Sequence, residues 1–151
     1  IGQQINFIST FQNSRHSFNL NGNYALGLGS TGPDGIFPCL FNMEIVGFAY
    51  YNLQGGVSGQ TTIDLHWVSN GDTDNGSIWS VQPSVDFNAA DNSYTIYDQA
   101  NGATVVLPTG HTLGVLNKTT FDAGDAIRLD LDDAMAGANG FQFLFMYRPI
   151  D

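Results

Sequence analysis

The sequence predicts an all-β protein, a two-sheet β-sandwich or jelly roll of about eight strands with an N-terminal arm. Three observations carry that expectation. Several segments alternate apolar and polar residues with a period of two, the spacing at which successive side chains reach opposite faces of a sheet. The breaks between them ("GSTGPDG", "NLQGGVSGQ", "SNGDTDNG", "AADN", "QANG", "AGANG") are rich in the Gly, Asn, Asp and Ser that turns require. Helical signals are sparse, and no fixed-period repeat suggests a propeller or β-helix.

Residues 1–20 read as an N-terminal arm or a first strand, and residues 21–151 as a single β-sandwich domain. Within 3–18, Ile5, Ile8, Phe11 and Arg15 fall at helical spacing, but the run is full of Asn, Ser, Thr and Phe, which are weak helix formers. An extended arm fits at least as well. Strands are expected at 17–21, 43–51, 61–68, 78–87, 93–97, 103–107, 126–132 and 140–148. In "TTIDLHWV" the alternation sets Ile63, Leu65 and Trp67 against Thr62, Asp64 and His66. In "AIRLDLD" it sets Ile127, Leu129 and Leu131 inward and Arg128, Asp130 and Asp132 outward, and in "GFQFLFMYR" it groups Phe141, Phe143, Phe145 and Tyr147. A one-turn helix at 134–138 would be cut short by Gly137 and Gly140.

A chain of 151 residues is one domain by length and can bury a core without staples. Charged residues are only 12 % of it, and fourteen acids against four bases leave a net charge of −10. Nucleic acid and anionic lipid are bound by clustered Lys and Arg. Arg15, Lys118, Arg128 and Arg148 are scattered, so no nucleic-acid partner is expected. No apolar run is long enough for a membrane helix, and no secretory leader is visible; the expectation is no membrane partner. The single cysteine, Cys39 in "IFPCLF", excludes an internal disulfide framework and reads as a buried inert thiol.

The aspartate-rich run "FDAGDAIRLDLDD" (121–133) raises the question of chemistry. Asp130 and Asp132 alternate with core-facing residues and share their face with Arg128, so a wet strand face with a surface ion pair accounts for them. Asp122 and Asp125 flank a turn, where aspartate accepts backbone N–H groups, and Asp133 opens the next turn. A calcium site is the alternative, and it would need oxygen ligands from a turn to converge there. "DTDNG" (72–76) misses both the glycine and the bidentate glutamate of a calcium-binding EF loop and reads as a hairpin loop. "GLGSTG" (27–32) matches a dinucleotide fingerprint in letters only, since "PDGIFP" follows instead of a helix. His16, His66 and His111 have no metal-ligand spacing, no nucleophile elbow is present, and Glu44 is the only glutamate for a paired-carboxylate mechanism. The sequons at Asn75 and Asn117 occur at chance frequency. The expectation is therefore no enzyme, no catalytic residue, no metal and no cofactor.

What remains is apolarity on both faces of some strands. Opposite the phenylalanines of 140–148 lie Leu144 and Met146, and 43–51 has Met43, Ile45 and Ala49 on one side with Val46, Phe48 and Tyr50 on the other. A sheet with one solvated face should be polar there. Covering loops would explain the pattern, and so would a subunit interface. The candidate contacts are Phe48, Tyr50, Leu144 and Met146, together with Ile5, Phe7, Ile8 and Phe11 of an arm that reaches a neighbour or a shell.

The stretches "IFPCLFNMEIVGFAYYNLQGGVSGQTTIDLHW", "SIWSVQPSVDF" and "TFDAGDAIRLDLDDAMAGANGFQFLFMYRP" resemble small all-β virion proteins of tailed bacteriophages. The resemblance spans about residues 36–149, on a "G-x-S-G-x-T-x-I-D-L" turn at 56–65 and an "F-x-A-G-D-x-I-x-L-D-L-D" run at 121–132. It implies a jelly-roll-like module, and the apolar residues on both strand faces add the expectation of a homo-oligomer, expected to be a trimer. Such a module would act as a capsid decoration (cement) protein on the capsid exterior, bound to the major capsid protein or another virion protein. The alternative it leaves open is a tail-fibre or head-fibre attachment module that binds carbohydrate on Trp67, Trp79, Tyr94 or Tyr97.

Overall fold

The structure, a computed structural model, describes residues 7–10, 36–70, 73–99, 103–133, 135–136 and 139–151. In chain order its strands are β1 (Phe7–Thr10), β2 (Ile36–Pro38), β3 (Met43–Gln54), β4 (Gln60–Ser69), β5 (Thr73–Ser77), β6 (Trp79–Val81) and β7 (Ser84–Asp86). They continue as β8 (Ser93–Asp98), β9 (Ala103–Val106), β10 (His111–Thr112), β11 (Val115–Leu116), β12 (Thr120–Phe121), β13 (Ala126–Asp133) and β14 (Asn139–Pro149). Among the described residues the fold is all-β, and the strand pairs are antiparallel.

Two six-stranded sheets organise the chain. The first runs β1-β14-β3-β8-β9, with β12 also on β3. The second runs β10-β7-β4-β13-β2, with β5 also on β4, and β6 and β11 form a small separate ladder. The expected strands at 43–51, 61–68, 93–97, 103–107, 126–132 and 140–148 are all present, within a few residues at each end. The segment 78–87 is split into β6 and β7 around Pro83, which has no N–H to give a ladder. "DTDNG" is more regular than expected, since its last residues belong to β5, paired along β4. Part of the helically spaced 3–18 run is strand β1, while 17–21 and most of 134–138 lie outside the described residues.

One core lies between the sheets. β3 and β14 contribute Met43, Ile45, Phe48, Tyr50, Phe141, Phe143 and Phe145; β4 and β13 answer with Ile63, Leu65, Ile127 and Leu129. Direct contacts cross the gap: Phe37 meets Phe145 edge-on at 5.1 Å, and Tyr50 stacks on His111 at 5.5 Å. Edge-to-face and offset stacking add to the burial of such large rings.

The two-sided apolarity of β3 has an explanation in its register. Tyr147 pairs with Ile45 and Met146 with Gly47, so Val46 is one residue too many: a β-bulge. An extra residue inverts the in/out alternation beyond it. Met43 and Ile45 before the bulge, and Phe48 and Tyr50 after it, therefore all face the same core. Phe48 is 1 % exposed and Tyr50 0 %, which corrects their assignment as outward interface residues.

Candidate functional site

Leu144 and Met146 keep the direction that alternation gives them. They are half-buried on the outer face of the first sheet, opposite Ala49 and Gly47 across the β14–β3 ladder. Met146 lies over Gly47, where an added Cβ would strike the methionine methyl and come within 2.6 Å of the Tyr97 carbonyl oxygen. The face continues onto β8 through Ile96, opposite Ala49, and through Tyr94, whose ring sits 5.7 Å from that of Tyr51. Phe7 and Ile8 belong to β1, whose register sets them opposite Tyr147 and Met146 of the same chain. Ile5 and Phe11 lie outside the described residues.

A cleft of about 260 Å³ opens where β8 passes the ladder of β6 and β11. Phe48, Tyr97, Leu113, Val115 and Leu116 give it apolar walls, and Gln99 and Thr119 supply polar atoms. Phe48 and Tyr97 stack at 5.1 Å, so the back wall is a continuous aromatic surface. Sequence reasoning missed this feature, because its residues come from four separate stretches. One signal was present: residues 99–117 contain no Asp, Glu, Lys or Arg.

The outer side of the second sheet carries the polar chemistry. His66 Nε2 is 3.0 Å from Asp64 Oδ2, and its Nδ1 is 2.9 Å from Asp74 Oδ1. Arg128 donates to Asp74 Oδ2 at 2.9 Å, and Ser77 Oγ donates to Asp64 Oδ1 at 2.5 Å. Burial works against the Asp74 carboxylate, but the Gly76 N–H, His66 and Arg128 together hold its pKa below the usual value. Both ring nitrogens of His66 are thus occupied, and the cluster ties β4, β5 and β13 together. The serine gives its proton to a carboxylate, not to the imidazole, so this is not a nucleophile–base pair.

A second serine–histidine contact lies near the core. Ser93 Oγ is 2.9 Å from His111 Nε2, and Thr95 Oγ1 is 2.9 Å from His111 Nδ1. Ser93 donates its own proton to the Ala90 carbonyl at 2.5 Å, so its oxygen accepts from Nε2–H and Nδ1 accepts from Thr95. Burial pushes the imidazole pKa down to about 4, which keeps it neutral. His111 acts as a polar tie between β10 of one sheet and β8 of the other.

The aspartate-rich run resolves into separate roles. Asp125 is buried and accepts from Trp67 Nε1 at 2.9 Å, Asp122 N at 3.0 Å and Asn70 N at 3.2 Å, as a turn aspartate should. Asp132 is exposed and accepts from Gln82 at 2.5 Å. Arg128 bonds to Asp74 across the sheet, a partner that strand alternation alone does not reveal. Among the described residues no group of three His, Cys, Asp or Glu is arranged to hold a metal ion. The aromatic residues considered for carbohydrate are mostly engaged: Lys118 sits 3.8 Å over the Trp67 ring, Trp79 is buried, and Tyr97 is a wall of the cleft. Tyr94 alone of the four is substantially exposed, at 40 %.

No family model, curated protein or solved structure matches the chain.

Proposed function

We propose that this chain is a non-enzymatic structural protein of a virion, a β-sandwich of jelly-roll type that oligomerises, as a trimer, and decorates the outside of a capsid shell. One observation carries the self-assembly: on the outer face of the first sheet the half-buried Leu144, Met146 and Ile96 lie around the buried Ala49 across three adjacent strands. A solvated sheet face alternates polar residues outward, and a contiguous apolar patch marks a contact surface. The virion setting rests on the resemblance of residues 36–149 to small phage structural proteins. The low share of charged residues also suits a protein whose surfaces are given to subunit contacts.

Sedimentation equilibrium at micromolar concentration tests assembly. A species near three times 16.3 kDa is expected, and a monomer throughout would overturn the self-assembly. Incubating the protein with undecorated phage shells, followed by electron microscopy, tests the setting. Ordered extra density at symmetry points is expected, and bare shells at saturating protein would overturn the decoration role.

A further inference from the structure

We propose that β5 is a pH-sensitive strap, held on the second sheet by a doubly protonated His66 and released when that ring loses a proton. β5 has little else to hold it. Its sequence "TDNGS" offers no apolar side chain to the core, and Thr73, Asp74, Asn75 and Ser77 are exposed. Its ladder to β4 is interrupted between His66 and Val68, leaving Ser77 opposite His66, Asp74 opposite Val68 and Thr73 opposite Ser69. Segments with few buried apolar contacts are the first to open. Side-chain bonds therefore decide whether β5 stays down: Asn75 to Ser69 Oγ at 2.9 Å, Ser77 to Asp64, and the group formed by Asp74, His66 and Arg128.

The geometry fixes the charge of the ring. A neutral imidazole has one N–H and one lone pair, whereas an imidazolium donates from both nitrogens. His66 Nε2 faces Asp64 Oδ2 at 3.0 Å, and Nδ1 faces both oxygens of Asp74, at 2.9 and 3.0 Å. With one proton gone, a lone pair would be set against a carboxylate at bonding distance. Screening is weak here, since the side chains of Asp64, Arg128 and His66 are only 5, 16 and 22 % exposed. A carboxylate as buried as Asp64 needs its donors, so the ring keeps Nε2–H and gives up the proton on Nδ1. Arg128 Nη2, 3.1 Å from Nδ1, then donates to the bared lone pair, and Asp74 loses its bond to the ring.

The charged groups around His66 come from each strand beside it: Asp64 on β4, Asp74 on β5 and Arg128 on β13, with Asp130 opposite Asp64 in the β13–β4 register. Raising the pH removes the positive charge that bridges the two carboxylates, and the hold on β5 goes with it. On the acid side, burial opposes the Asp74 charge, but the Gly76 N–H, His66 and Arg128 outweigh it and hold the pKa below 3.8. The strap is thus closed in mildly acidic and neutral solution and opens as the solution turns alkaline. Opening bares the edge of β4 from His66 to Ser69, because β7 covers only Gln60–Thr62, and an unpaired edge is a template for a further strand.

NMR on the full chain tests the strap. At pH 6.5 both His66 ring nitrogens should show the shifts of protonated nitrogen. Amide exchange, corrected for intrinsic rates, should show protection in the β4–β5 ladder falling about tenfold or more between pH 6.5 and 9, as expected for losing one hydrogen bond to a charged group. The β14–β3 ladder should keep its protection. Across that range His111 stays neutral and Cys39 and Tyr50 keep their protons, so these interior groups add no change of their own. His66→Gln should lower β5 protection at pH 6.5 and abolish its pH dependence. Asp74→Asn, on the exposed strand, should do the same and replaces His66→Gln should that variant fail to fold. A single protonated ring nitrogen at pH 6.5, or β4–β5 protection unchanged at pH 9, would overturn the strap. So would a folded variant that retains the wild-type pH dependence.

Discussion

His111 Nε2 and Ser93 Oγ stand 2.9 Å apart, one on the second sheet and the other on the first, and with Thr95 they make a hydrogen-bonded tie through the protein's interior. Stacking of the His111 ring on Tyr50 at 5.5 Å packs the same tie into the core. The tie works only while the imidazole is neutral, because a charged ring there would be both desolvated and short of an acceptor.

That requirement gives a pH dependence. The folded pKa of His111 is pushed down to about 4 from 6.5, so between those values the unfolded chain binds a proton that the native one refuses. The stabilisation is complete above pH 6.5 and is lost as the pH falls toward 4, by about 2–3 kcal/mol. Urea unfolding at pH 7.5, 5.5 and 4.5 measures it. The His111→Gln variant should be less stable at pH 7.5 but should lose less on acidification; equal slopes for the two proteins would refute the assignment.

Gly47 is expected to tolerate no side chain. Its added Cβ would meet the Met146 methyl, which can move, and the Tyr97 carbonyl oxygen at 2.6 Å, which cannot move without shifting β8. Gly47→Ala should cost about 1–3 kcal/mol, and adding Met146→Ala should restore only part of it. Full restoration in a double-mutant cycle would show that the methionine alone sets the constraint.

Thr62 should be improvable. Its Oγ1 is buried with no hydrogen-bond partner among the described residues, and a desolvated hydroxyl in that state costs about 1–3 kcal/mol. Thr62→Val keeps the β-branched shape within β4 and removes the hydroxyl, so the midpoint of chemical denaturation should rise with an unchanged slope. A fall of more than about 0.5 kcal/mol would reveal a partner for the hydroxyl.

Cys39 should be unreactive in the folded protein. Burial pushes its thiol up to about 12, the Asp125 carboxylate adds to the shift, and Lys118 opposes it. The thiolate is the reactive form. Labelling with a disulfide reagent at pH 8 should therefore be no faster than opening of the structure, and addition of denaturant should restore the rate of a free thiol. Rapid labelling of the native chain would mean that the loop after β2 opens readily.

Sequence alone determined the class of the fold and the positions of its longer strands. Side-chain direction in a strand follows from the local pleat, so Ile63 and Leu65 in β4, Ile127 and Leu129 in β13, and the phenylalanines of β14 could be assigned to the core without knowing their partners. The turn role of Asp125 and the buried state of Cys39 were legible for the same local reason. Tertiary structure decided the rest. The bulge at Val46 is a mismatch in count between β3 and β14, so it is a property of a pair, and it brought Phe48 and Tyr50 into the core although the strand's own alternation suggested otherwise. The cleft and the His111 tie gather residues far apart in the chain, and the partner of Arg128 came from β5 across the sheet. Leu144 and Met146 could be read from sequence as outward because the bulge left the alternation of β14 intact.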